Sequence, residues 1–112
     1  MPMILKPIEF YKVRVGFLTT EEGGRRGPVR WTFASYRPDF KMGEGNFHGA
    51  VFMDAPSEIA PGDQAEVEIA FWCCGSRHGF NLGQTFYLHA GRRVAEGTIL
   101  EKGVKQYVRP DT

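Results

Sequence analysis

The residues able to do chemistry are few, and their spacing suits little of it. Cys73 and Cys74 are adjacent, His78 follows, and His89 stands further along the chain. Structural zinc is usually held by four ligands with Cys-x-x-Cys-type spacing, whereas neighbouring residues on a strand face opposite ways. One cysteine is therefore expected in the core and the other near its rim, with no metal bound. A cysteine–histidine nucleophile would need an orienting acid, and nothing in the sequence sets one beside the pair. With no third cysteine, and with adjacent cysteines bridging only under strain, a disulfide framework is excluded. Glu21 and Glu22 are paired carboxylates, as are Glu66 and Glu68. The second pair falls on the polar parity of an amphipathic strand, which reads as a solvated face rather than acid–base machinery. No Gly-x-x-x-x-Gly-Lys-Ser/Thr segment occurs, so no nucleotide phosphate cradle is expected. The chain is expected to have no catalytic residue and no cofactor.

What remains is recognition, and its candidates sit in turns. Gly23-Gly24-Arg25-Arg26 and Gly91-Arg92-Arg93 each put arginine next to a residue without a side chain. Period-two patterning must supply the elements that hold them. Tyr11, Val13, Val15 and Phe17 share one parity against Lys12, Arg14 and Gly16. Val29, Trp31 and Phe33 repeat the pattern, as do Ala65, Val67, Ile69 and Phe71. Such runs are strands with one buried face. Weaker strands are expected at 47–53, 84–89 and 95–102, separated by turns such as Gly23-Gly24 and Pro61-Gly62. Six strands without a helix to carry parallel crossovers imply an antiparallel barrel or sandwich, and closure favours the barrel because it removes sheet edges. The 112 residues suffice for one domain with a single core, and the tail 103–112 either packs back or frays.

Bulk electrostatics adds little. Net charge is +1 with a pI near 7.8, so no polyelectrolyte footprint points to tight nucleic-acid binding. The apolar start at Met1–Leu5 is interrupted by Pro2 and broken at Lys6, too short for a signal-peptide core. The longest apolar run, Ile69–Cys74, falls far below the roughly 20 residues of a membrane span. A soluble, cytoplasmic protein without membrane partners is the expectation.

The order of these motifs resembles a known family. Val15-x-x-Leu18 leads into Glu21-Glu22-Gly23-Gly24-Arg25, then Tyr36-Arg37-Pro38-x-Phe40, Gly49, Pro61-Gly62-Asp63, Phe86 and Gly91-x-Arg93-Val94. From about Lys6 to Lys102 the chain is similar to the C-terminal, third domain of bacterial elongation factor Tu. The resemblance implies a six-stranded antiparallel Greek-key barrel, here without the GTPase domain and so without nucleotide. In that family the barrel packs on the GTPase domain, helps grip the T stem of aminoacyl-tRNA and contacts the exchange factor. Gly23 and Gly24 are then turn architecture, Pro38 stiffens a corner and Tyr36 plugs the barrel end.

The implied RNA contacts carry over unevenly. Arg25 keeps the arginine of the Glu-Gly-Gly-Arg motif, and Arg26 replaces a histidine with a firmer cation. Asp39 stands where the family has glutamine, adding repulsion towards phosphate and removing a donor. His48 stands for a threonine, with an altered donor. In the late loop Gly91 still permits close backbone approach, a glutamate is lost at Ala90, and Arg92 and Arg93 carry charge. Most aromatic residues, Phe86 and Tyr87 among them, are expected in the core. Trp72 falls on the outward parity and is a candidate anchor for a protein partner, unless a bulge or the tail covers it. The expected function is non-catalytic binding. A protein partner, such as one of the translation machinery, is favoured; tRNA or another structured RNA is the alternative, and a metal-binding or hydrolytic protein a distant third.

Overall fold

The alternating run at residues 11–17 forms one wall of a barrel in the computed structural model, which describes residues 3–4, 8–30, 36–43, 45, 47–71, 80–106 and 108–109. The strands in chain order are β1 (Met3–Ile4), β2 (Ile8–Phe17), β3 (Val29–Arg30), β4 (Asp39–Lys41) and β5 (Phe47–Asp54). β6 (Glu58–Ile59), β7 (Gln64–Phe71), β8 (Thr85–His89), β9 (Arg93–Lys105) and β10 (Val108–Arg109) follow. Six of them close an antiparallel barrel in the order β2-β7-β5-β4-β8-β9, while β1-β10 and β3-β6 form two-stranded ribbons. The all-β antiparallel barrel inferred from alternation is therefore the fold.

One member of the barrel differs from the expectation. The described part of the 29–33 segment, Val29–Arg30, lies in the side ribbon, with Val29 opposite Ile59 and Arg30 opposite Glu58. Arg30 Nε and Glu58 Oε1 are 3.6 Å apart. The sixth barrel strand is instead β4, whose three residues are too few to display a period. Trp31 and Phe33 lie outside the described residues. Of the two alternatives for the tail, its described residues take the packed one: β9 runs on to Lys105, pairing with Ile8, and β10 pairs with β1.

Closure needs bending, and three register shifts supply it. They fall at Lys12/Val13 against β9, Phe52/Asp54 against β7 and Leu88/His89 against β9. Such bulges raise local twist, so six short strands can return on themselves.

The interior is aromatic. Phe40 is stacked on Phe86 with centroids 4.6 Å apart and on Phe80 at 5.2 Å, and meets Phe71 edge-on at 5.0 Å. Tyr11, Val13, Val15, Ile69, Leu88 and Ile99 belong to the same buried cluster. A second cluster, Val51, Met53 and Ala70 with Ile8 and Phe10 against it, lies on the opposite parity, on the outer side of the wall. β5 is consequently buried on both faces from Ala50 to Met53, which explains its weak alternation in sequence. Among the described residues no helix is long and apolar enough to cross a membrane.

Candidate recognition surface

The β2–β3 connection is built from a reciprocal cap. Thr19 N–H donates to Glu22 Oε1 at 2.9 Å, and Glu22 N–H returns a bond to Thr19 Oγ1 at 3.1 Å. The bond from the Thr19 amide holds the Glu22 carboxyl below its ordinary range, so this acid is structural. Gly23 takes φ 93°, and a Cβ on Gly24 would collide with the Leu18 carbonyl. Both positions therefore need glycine, for two different reasons. Pro61-Gly62 closes beside them: Gly62 N–H donates to the Phe17 carbonyl at 3.0 Å, and Phe17 N–H to Asp63 at 2.9 Å.

This loop is joined to the β8–β9 turn, where Gly91 sits at φ 79°. Leu18 N–H donates to the Val94 carbonyl at 2.9 Å. Arg92 Nη2 donates to the Gly24 carbonyl at 2.9 Å across 68 residues of sequence. Arg25, Arg26, Arg92 and Arg93 thus stand at one end of the barrel. Arg26 is exposed. Arg25 Nε donates to the Gly27 carbonyl at 3.2 Å, and its guanidinium lies 5.6 Å from the centroid of the Tyr36 ring. Tyr36 meets Phe52 edge-on at 4.9 Å, so it plugs this end of the barrel. Burial raises its phenol pKa, with Arg25 opposing the shift, and the ring stays neutral. Pro38 is buried beside it, and Arg37 is exposed on the same corner.

Other candidates are placed elsewhere. His48 shares the inward parity of Ala50 and Phe52, with its ring 5.6 Å from Phe80 and 6.0 Å from Phe71. It belongs to the aromatic plug where β2 begins, not to the arginine end. Asp39 is exposed on β4, opposite Gly49 and His89. Glu66 is exposed, 3.8 Å from Lys12 Nζ, whereas Glu68 is partly covered and lies 2.5 Å from Lys105 Nζ. Trp72, Cys73, Cys74 and His78 lie outside the described residues. Among the described residues no group of three or more His, Cys, Asp or Glu could hold a metal.

The sequence reading missed a row of residues on the outer wall. Phe47 pairs with Lys41, and Lys41 pairs with Tyr87, on adjacent strands. Lys41 Nζ lies 5.1 Å from the Phe47 centroid, and the Arg93 guanidinium only 3.8 Å from that of Tyr87. Tyr87, expected in the core, faces outwards because Phe86 and Leu88 take the inward parity. That alternation was the available signal. His89 meets Phe47 edge-on at 5.0 Å, and its Nε2 is buried with no partner among the protein's own groups.

Burial lowers the His89 pKa, helped by Arg93 and Lys41 and opposed by Asp39. The folded state thus disfavours the imidazolium. Its share of stability is fully present above the unfolded value of about 6.5 and is lost as pH falls through the lower folded value. We expect the melting temperature to fall as the pH drops below about 6.5, and His89→Gln to flatten that slope. An unchanged slope in H89Q would assign the dependence to other groups.

The molecule is thus a small closed antiparallel barrel with an arginine-bearing loop end and an aromatic–cationic wall. No protein-family model matches the chain.

Proposed function

We propose that this barrel is a non-catalytic binding domain, akin to the third domain of elongation factor Tu, that takes the backbone of structured RNA on its arginine end. The observation that carries the reading is the Arg92–Gly24 bond, which unites two loops far apart in sequence. The guanidiniums of Arg25, Arg26 and Arg92 at this end, with that of Arg93 over Tyr87 on the adjoining wall, can neutralise neighbouring phosphates even where the net charge is only +1. The strand order also supports it: the barrel's first strand, β2, lies beside its fourth, β7, as a Greek-key connection requires.

The test is binding of bulk tRNA and of an RNA duplex across a salt series. Four phosphate contacts would give a log–log slope of about −3. Arg26→Gln should shallow it by about one unit without changing the melting temperature. Absence of salt-dependent binding would overturn the reading.

A protein partner is the second reading, and a specific observation favours it. Arg25 and Arg92 already donate to carbonyls of their own chain, giving a preformed surface, and Asp39 stands exposed on the adjoining wall. Capture from lysate that resists both salt and nuclease would support it.

A further inference from the structure

We propose that the outer wall of β5-β4-β8 is a stacking platform for unpaired nucleotides, continuous with the arginine end. The inference rests on the RNA reading above and adds what kind of RNA segment the wall accepts.

Among the described residues Phe47, Leu82 and Val104 are exposed large apolar side chains, and Phe47, 54% exposed, is the aromatic one. Its position is set by register. Phe47, Lys41 and Tyr87 lie abreast on three neighbouring strands, and Glu96 follows opposite Tyr87. The next row is Gly49, Asp39, His89 and Arg93. Neighbouring strands are about 4.8 Å apart, so the backbones at Phe47 and Tyr87 are separated by about 10 Å. That is about three stacking steps of roughly 3.4 Å. A single strand would cross the wall with one base on Phe47 and another on the guanidinium that covers Tyr87.

Both surfaces are suited to bases. An aromatic ring or an arginine plane accepts any base face. Lys41 stands between them on a flexible stem that can follow a phosphate. Arg93 adjoins Arg92 at the turn, so a strand leaving the wall would meet the arginine end. The row acids, Asp39 and Glu96, repel phosphate but can accept from the exocyclic amine of a base. Paired RNA presents no free base face here, because its bases are stacked in the helix. A protein segment would have to satisfy the same alternation of cations and carboxylates without stacking, and the test distinguishes the two.

The experiment uses the full chain with a labelled oligouridylate, the matching oligothymidylate, an RNA duplex of equal length and polyglutamate. The single strands are expected to bind more tightly than the duplex, and Phe47→Ala to weaken them about tenfold. Duplex binding and the melting temperature should be unchanged in F47A, since the side chain is more than half exposed, and Phe47→Trp should keep single-strand affinity. Comparing oligouridylate with oligothymidylate reads any role for the ribose hydroxyl, and either preference is compatible with stacking only if F47A weakens the preferred strand. If duplex and single strand bind alike and F47A alters neither, the platform is overturned while the RNA reading stands. Binding of polyglutamate in preference to every nucleic acid would overturn both and point to an acidic protein segment.

Discussion

Phe40→Ala is expected to lose about 3–5 kcal/mol of folding stability. That is a large share of the roughly 5–15 kcal/mol a domain of this kind possesses. The ring is fully buried at the centre of the aromatic stack, against Phe86 on one side and Phe80 on the other, with Phe71 edge-on. Truncation would leave a cavity lined by rigid rings from β7, β8 and the segment that precedes β8, which cannot readily collapse together. The position also matters to closure. β4 has three residues, and Phe40 is the only one of them pointing inwards. The ladder it makes with β5 and β8 is short, so the ring's packing anchors the strand. Urea unfolding should show a lower midpoint with the slope retained, and Phe40→Leu should lose less. A midpoint for F40A within about 0.5 kcal/mol of the parent would mean that the barrel does not close on this ring.

Gly97→Ala should be the most damaging addition of a single methyl group to the barrel wall. Gly97 lies opposite Phe86 in the β8–β9 ladder, and the phenylalanine ring covers it. A Cβ there would sit 2.6 Å from Phe86 Cζ and would also strike the Arg14 carbonyl on β2. Neither neighbour can yield easily. The ring is held in the aromatic stack, and the carbonyl belongs to a strand paired on both sides. Overpacking of this kind costs about 1–3 kcal/mol, and Gly97→Val should cost more. Gly16 is the control: on the same wall, its added Cβ would lie 3.7 Å from Gln64 Cγ, an ordinary contact. Gly16→Ala should stay within about 0.5 kcal/mol of the parent by thermal or urea unfolding. Combining G97A with Phe86→Leu should recover part of the loss, since one of the two collisions is relieved. Full additivity in that cycle would separate the methyl's effect from the ring.

How much of this was readable beforehand depends on the range of the interaction. Over Tyr11–Phe17 of β2 and Ala65–Ile69 of β7 one face is buried, so hydrophobicity alternates and a period of two is visible without knowing the partners. The Gly23-Gly24 and Pro61-Gly62 turns were equally legible, because the backbone demands of a turn act on a few adjacent residues. β4 escaped because three residues carry no period, and β5 was blurred because the Val51–Met53–Ala70 cluster buries its second face. The segment at Val29 alternates like a barrel strand yet pairs with β6, since alternation reports a buried face and not the partner that buries it.

The recognition surface divides along the same line. Arginines beside glycines in turns were apparent from residue order alone, whereas Tyr87, expected in the core, faces outwards on the parity opposite to Phe86 and Leu88. Arg92 reaching Gly24, His48 turning into the aromatic plug and Phe47, Lys41 and Tyr87 coming abreast required the closed barrel. Local preferences select strands and turns within a handful of residues. Register and closure are set by pairings between distant segments, whose energies belong to the assembled sheet, and those pairings decide which side chains become neighbours.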